Sequence, residues 1–211
     1  APSDVATSAD LNGEITDAGS SPGEVDGGAG TTAPEAPLLE IDESESFVLE
    51  GLSADVHVIR TEMGVPHIYA ENRNDLGRAL GFLLGRDRFF VMDLQRRLGL
   101  GTISELLGAS ALENDMEARG TGVRFVAERL EASASPEMKS YVNAFIGGLN
   151  AYVAGVAAGD LEAPSELKLA APLLGAPNPA DLMEPWTPLD VASMVAVIMY
   201  ETTYESGDVG R

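Results

Sequence analysis

The sequence of 211 residues has no cysteine, two histidines and one tryptophan. Without thiols, disulfides and thiolate metal sites are excluded. Two histidines are too few for a histidine-rich metal centre. Positive charge is also scarce: 13 Lys and Arg stand against 34 Asp and Glu, a formal net charge of −21. Nucleic-acid backbones and anionic membrane surfaces need basic patches, so this balance argues against both as partners. No uninterrupted apolar run reaches the roughly 18 residues of a membrane span. No secretory signal stands at Ala1, so any such signal was removed earlier or never existed. What is present is a chain 45% hydrophobic with mean hydropathy +0.02. That is enough for one sizeable core or two small ones.

The charge is unevenly spread. Residues 1–59 hold 13 acidic residues and no Lys or Arg, which leaves 21 acidic against 13 basic residues beyond them. Residues 1–46 are dominated by Ala, Gly, Ser, Thr, Pro, Asp and Glu. Such a stretch cannot bury enough apolar area to offset its ordering entropy, so it reads as a disordered acidic leader or tether. Residues 47–211 read as the folded domain. Gly19-Ser20-Ser21-Pro22-Gly23 matches the G-x-S-x-G pattern, but no strand precedes it and no helix follows it, so the match is rejected.

The folded part opens with two strands. Val56–Arg60 alternates and is rich in β-branched residues, Val65–Ala70 does so more loosely, and Thr61–Gly64 between them is a short loop. A hairpin follows, with Pro66 at a strand start or on an edge. Helices come next. Asn74-Asp75 caps one that runs to about Leu98, with Leu76, Leu80, Leu83, Phe90, Val91 and Leu94 as its apolar stripe. Asp87 falls on that stripe and should pair with Arg86, Arg88, Arg96 or Arg97. Gly99-Leu100-Gly101 ends this helix, and Thr102 caps a short one closed by Gly108. Ser135-Pro136-Glu137 is a strong helix start: a cap, a first-turn proline, and an acid at the positive helix end. Its apolar face runs from Met138 through Val142, Phe145, Ile146, Leu149, Tyr152 and Val153 to Val156. Residues 159–185 carry five prolines and read as a long loop. Thr187-Pro188-Leu189-Asp190 starts the last helix, which is apolar on all sides from Val191 to Tyr200 except at Ser193. Such a helix needs neighbours all round. Two strands and a few helices supply too few, so the chain should close its core against another chain.

Several of these segments carry a resemblance. Val58–Ala70 (VIRTEMGVPHIYA) resembles the opening of the α chain of penicillin acylases. Gly81–Asp93 (GFLLGRDRFFVMD) is similar to the helix that follows in that family. Arg96-Arg97, Gly101–Gly108 (GTISELLG), Gly148–Tyr152 (GLNAY) and Trp186–Ala192 (WTPLDVA) come in family order. The similarity covers roughly residues 52–208, and residues 1–46 have no counterpart in the family core.

The resemblance implies an α+β fold: the α-chain part of a four-layer αββα N-terminal-nucleophile hydrolase sandwich, mostly helical with an N-terminal hairpin. It implies a precursor that cuts itself into α and β chains. The catalytic serine then heads the β chain, with its own α-amino group as base, and no catalytic residue lies in this chain. The oxyanion donors also belong to the β chain. Acyl-pocket positions fall on Met199, Thr202 and Thr203. Penicillin G acylases carry Arg and Phe where Thr202 and Thr203 stand, which argues against phenylacetyl specificity, and Tyr200 or Tyr204 could supply an aromatic wall. The resemblance also implies one structural Ca²⁺. Its strict register falls on Val209, which cannot ligate, so Asp208 or Glu205 is the expected carboxylate. His67 lies in a family hallmark; with the nucleophile supplying its own base, it is read as packing the strand or orienting backbone, and His57 as an ordinary strand residue.

The expected protein is therefore the α subunit of a periplasmic or secreted amide hydrolase, possible substrates being β-lactams, acyl-homoserine lactones or acylated peptides. Its partner is an obligate β chain, and the acidic leader serves as a tether. The rival reading is an exported, non-catalytic helical binding or scaffold domain on an acidic tether.

Overall fold

The structure, a computed structural model, describes residues 42–203. Most of the acidic stretch 1–46, together with Tyr204, Glu205 and Asp208, lies outside the described residues. The hairpin comes first. Strands β1 (His57–Arg60) and β2 (Pro66–Tyr69) pair antiparallel, with Val58 opposite Ile68 and Ile59 opposite His67. Gly64 turns the chain at φ 77°, where its N–H donates to the Thr61 carbonyl at 2.8 Å. Both histidines are exposed on the hairpin.

Helix α1 (Arg73–Leu100) is capped by Asn72, two residues before the expected Asn74, which lies inside the helix: the Asn72 side-chain oxygen accepts the N–H groups of Asn74 and Asp75. Asp75 then reaches back over the helix start and accepts the Ser53 hydroxyl at 2.6 Å and the Ser53 N–H at 3.0 Å. Those bonds, the Ser53 hydroxyl foremost, hold its carboxyl below the usual range against the opposing effect of burial. Mid-helix, Arg88 leaves helical geometry at φ −141°, ψ 16°, and the helix kinks. The buried face carries on through the kink, from Phe82 to Phe89 and Arg96, with Met92, Asp93 and Arg97 beside it, while Val91 of the expected stripe faces out.

Short helix α2 (Ser104–Leu107) is not capped by the Thr102 hydroxyl. Asp115 of α3 (Leu112–Thr121) takes that role, accepting the N–H groups of Ile103 and Ser104 and the Ser104 hydroxyl. Helix α4 (Val123–Ser133) follows. Helix α5 (Pro136–Ala158) starts as expected, with the Ser135 hydroxyl accepting the Met138 N–H and Pro136 in the first turn. Its buried face includes Phe145, Ile146, Leu149, Tyr152, Val153 and Val156, while Met138 in the first turn is exposed. An 18-residue stretch of α5 reaches mean hydropathy 1.2, so by length and composition alone this helix could cross a membrane, contrary to the reading from uninterrupted runs. Its placement is that of a core helix packed on α1.

The α1–α5 crossing is the centre of the core. A Cβ on Gly81 would stand 1.9 Å from the Phe145 carbonyl oxygen, and one on Gly148 would stand 1.8 Å from that of Arg78. Only glycine at both crossing points lets the two backbones touch, and Phe82, Phe89, Leu149 and Tyr152 interlock beside them. Each fully buried large side chain of this kind contributes about 1.5–3 kcal/mol.

Residues 159–185 are not a loop. They hold helix α6 (Ser165–Leu174), whose Leu167 and Ala171 are buried, and a 3₁₀ turn at Pro179–Leu182. Pro164 sits just before α6, and Pro172 falls in its last turn, where the missing N–H breaks only one bond of an already ending helix. Helix α7 (Pro188–Thr203) closes the described chain.

Candidate functional site

Helix α7 carries all three expected pocket residues. Its start is fixed locally. The Thr187 N–H and hydroxyl each donate to the Asp190 carboxylate at 2.6 Å, the back-reaching half of a capping box. One face, formed by Ala192, Ser193, Ala196 and Val197, is buried against α1 and α4. The opposite face is open: Val195, Ile198 and Met199 are 40%, 46% and 47% exposed. Thus α7 is not buried all round among the described residues. Ala192, Ser193 and Ala196 on the buried stripe let α1 and α4 approach closely, while Val191, Met194 and Tyr200 are partly buried against the core.

Met199, Thr202 and Thr203 share the last turn and a half of this helix, and all are exposed. The threonine hydroxyls are already spent. Thr202 donates to the Ile198 carbonyl at 2.7 Å, and Thr203 donates to the Met199 carbonyl at 2.5 Å. Such back-bonding turns the hydroxyl onto the helix and leaves the methyl as the free surface. The helix end therefore presents an uncharged wall of one thioether and two methyl groups. Glu205 and Asp208, the expected calcium ligands, lie outside the described residues. Among the described residues no group of three or more His, Asp or Glu is placed to hold a metal ion.

At the start of α7 lies a buried charge network. Asp93 is fully buried and pairs with Arg96 and with Arg97, the latter at 2.8 Å. Arg97 reaches Glu105 of α2 at 3.0 Å. Burial opposes charge on Arg97, but Asp93 beside it more than compensates and raises its pKa further. The Arg96 guanidinium lies 4.9 Å from the centre of the Trp186 ring. Asn150 of α5 clamps the backbone of Trp186, accepting its N–H at 2.7 Å and donating to its carbonyl at 3.0 Å. The carboxylate expected to take this role, Asp87, is instead part-exposed and pairs with Arg60 of the hairpin at 2.8 Å. Asp93 falls on the buried stripe that runs through Phe82, Phe89 and Arg96, and Asp87 falls off it, toward β1. Arginines three and four residues after Asp93 were the available signal.

Away from α7, a cleft of about 720 Å³ opens where α1 kinks. Phe47, Arg86, Arg88, Phe89, Tyr152 and Glu162 are among its lining residues, and none of the lining belongs to α7. Glu45 forms a two-pronged bridge to Arg86 at 2.5 and 3.1 Å, and Phe47 packs on Phe82. Burial pushes the Tyr152 phenol up to about 12, and its hydroxyl donates to the Glu162 carbonyl at 2.8 Å.

The family model described as penicillin amidase matches residues 55–209. The chain belongs to the penicillin amidase family. Among its relatives, penicillin acylase 2 proenzyme of Pseudomonas sp. (strain SE83) is 38% identical over 157 residues, covering 74% of this chain and 19% of the relative. Acyl-homoserine lactone acylase QuiP of Pseudomonas syringae pv. tomato is 35% identical, covering 56% of this chain and 14% of the relative. Penicillin G acylase of Escherichia coli is 32% identical, covering 49% and 12%. This penicillin amidase chain thus spans about a fifth or less of the curated relatives it matches. A thermostable penicillin G acylase from Alcaligenes faecalis is structurally similar with TM-score 0.60 and 25% identity, covering 74% of this chain and 78% of that chain.

Proposed function

We propose that this chain is the α subunit of a penicillin-acylase-like amidohydrolase whose nucleophile lies on a separate β chain. The observation that carries the reading is a contrast in coverage. The match takes in 78% of the solved Alcaligenes faecalis chain but only 19% of the relative named a proenzyme. A short mature chain cut from a long precursor accounts for both figures. The open face of α7 and the exposed hairpin then belong to an interface within a four-layer sandwich.

In this reading an N-terminal serine of the β chain attacks the amide carbonyl, and its α-amino group, acting through water, takes the hydroxyl proton. The tetrahedral intermediate collapses, the amine leaves with that proton, and water then hydrolyses the acyl-enzyme. This chain's part is to shape the acyl pocket. Met199 is a deformable apolar wall, and the methyl faces of Thr202 and Thr203 keep that wall uncharged. Such a surface suits an apolar acyl group, the substrate being a small acylated amide such as a β-lactam, an acyl-homoserine lactone or an acylated peptide. A structural Ca²⁺, with Asp208 or Glu205 as this chain's carboxylate ligand, completes the reading on donor chemistry. The protein acts in the periplasm or outside the cell, with the acidic leader as a tether. The test is a panel of acetyl, octanoyl, glutaryl and phenylacetyl amides offered to the enzyme made from the full precursor. Hydrolysis of the uncharged members supports the reading, and inertness toward all of them refutes it.

A further inference from the structure

We infer that Arg96 is a positioning residue for the acyl wall: it sets where α7 sits, and through α7 the place of Met199, Thr202 and Thr203. The inference rests on the amide-hydrolase reading above.

Arg96 itself is 2% exposed and lies outside α7. Its guanidinium nevertheless holds the segment from which α7 springs. One end of the fork pairs with Asp93 on its own helix and lies 3.7 Å from Glu184, while the other lies 3.8 Å from Asp190. Its face covers the Trp186 ring. Asp190 is the residue that caps α7, and Trp186 is the residue that Asn150 clamps to α5. One planar cation therefore joins α1 to the first turn of α7 and to its lead-in. A lysine has a single point charge and no face to stack, so it can keep one of these contacts but not all.

The helix has little freedom to absorb a change there. Within one turn of Asp190, a Cβ on Gly99 of α1 would stand 2.6 Å from the Ser193 carbonyl oxygen, so the two backbones are already in contact. Ser193 is fully buried, and its hydroxyl donates to Leu189 within the helix. A rigid helix pinned at its start and pivoting on a backbone contact converts a small shift at Asp190 into a displacement at Met199. Displacements of about 1 Å remote from the chemistry can cost up to about a hundredfold in rate. The acyl group that reaches deepest should feel this most.

The experiment uses the enzyme matured from the full precursor, as wild type, Arg96→Lys, Arg96→Met and Trp186→Phe. Maturation is followed by mass, and kcat and KM are measured for acetyl and octanoyl amides of one leaving group. Arg96→Met is expected to lower the octanoyl-to-acetyl ratio of kcat/KM about tenfold, mainly through KM for octanoyl, with partial rescue in Arg96→Lys. If Arg96→Met does not mature, Arg96→Lys and Trp186→Phe decide, each with an expected fall of about threefold. Ratios within a factor of two of wild type in every variant that matures overturn the inference. Wild type inert toward both amides refutes the hydrolase reading instead. Hydrogen exchange of the α7 amides then decides the positioning claim: faster exchange from Leu189 to Tyr200 in the Arg96 variants upholds it, and unchanged exchange overturns it.

Discussion

Gly81 of α1 and Phe145 of α5 meet backbone to backbone: a Cβ added at Gly81 would lie 1.9 Å from the Phe145 carbonyl oxygen. Gly148 repeats the contact from the other helix, against the Arg78 carbonyl. The core is thus built on a crossing that tolerates no side chain.

Gly81→Ala is therefore expected to force α1 and α5 apart and to cost about 1–3 kcal/mol or more. The measurement is chemical denaturation of the matured enzyme. Gly120→Ala, at a position with nothing within 4 Å, serves as the control and should change stability little.

Asp93→Asn removes the fully buried carboxylate that both Arg96 and Arg97 share. It leaves two buried guanidiniums facing a neutral amide, a loss of about 3–5 kcal/mol for breaking a buried pair. Asp87→Asn, which breaks only a part-exposed pair with Arg60, is expected to cost no more than about 1 kcal/mol. Denaturation midpoints that rank the two in the opposite order would return the central ion pair to Asp87.

Acid should weaken the fold through Asp75 and Asp115. Both carboxyls lie below the ordinary aspartate range: Asp75 chiefly through the Ser53 hydroxyl, Asp115 because, against burial, it accepts bonds from Ser104 and Ile103. A carboxyl with a depressed folded pKa stabilises fully above its unfolded pKa, and that contribution fades as pH falls toward the folded value. Stability is thus expected to be flat above about pH 5 and to fall below about pH 4. Asp75→Asn and Asp115→Asn should each lower stability at pH 7 and flatten the acid limb, which thermal melts across pH 3–7 would show.

Met199→Ala removes the thioether from the exposed end of α7. Opening an apolar wall by this much is worth about 1–3 kcal/mol of discrimination, so the ratio of kcat/KM between octanoyl and acetyl amides should shift about tenfold or more. An unchanged ratio across the panel would take Met199 out of the pocket.

What the sequence made legible was mostly local. Ser135-Pro136 and Thr187-Pro188 mark their helices because cap, proline and acid lie within four residues of one another, and the structure starts helices at both. The hairpin was equally readable from alternation around Gly64. The errors came from effects at longer range. The stripe drawn through the leucines puts Asp87 inside; the buried stripe follows Phe82, Phe89 and Arg96 instead and takes in Asp93. Helix α6 was hidden by its prolines, since Pro164 and Pro172 look like breakers until one sits before the helix and the other in its last turn. For α7 the apolar count was right but the burial was not: small Ala192, Ser193 and Ala196 pack while Ile198 and Met199 stay open. The pocket residues were reached only by resemblance. That their threonine hydroxyls fold back onto the helix is a matter of rotamer, which no spacing reveals.

The two-chain architecture can be tested without any substrate. The full precursor is expressed, purified, and its polypeptides are weighed and sequenced from their N-termini. Two tightly associated chains are expected, a small one that contains this sequence and a large one beginning with serine. A single uncut polypeptide, or a second chain that begins with a residue unable to act as a nucleophile, would contradict the reading of this chain as one half of an amide hydrolase.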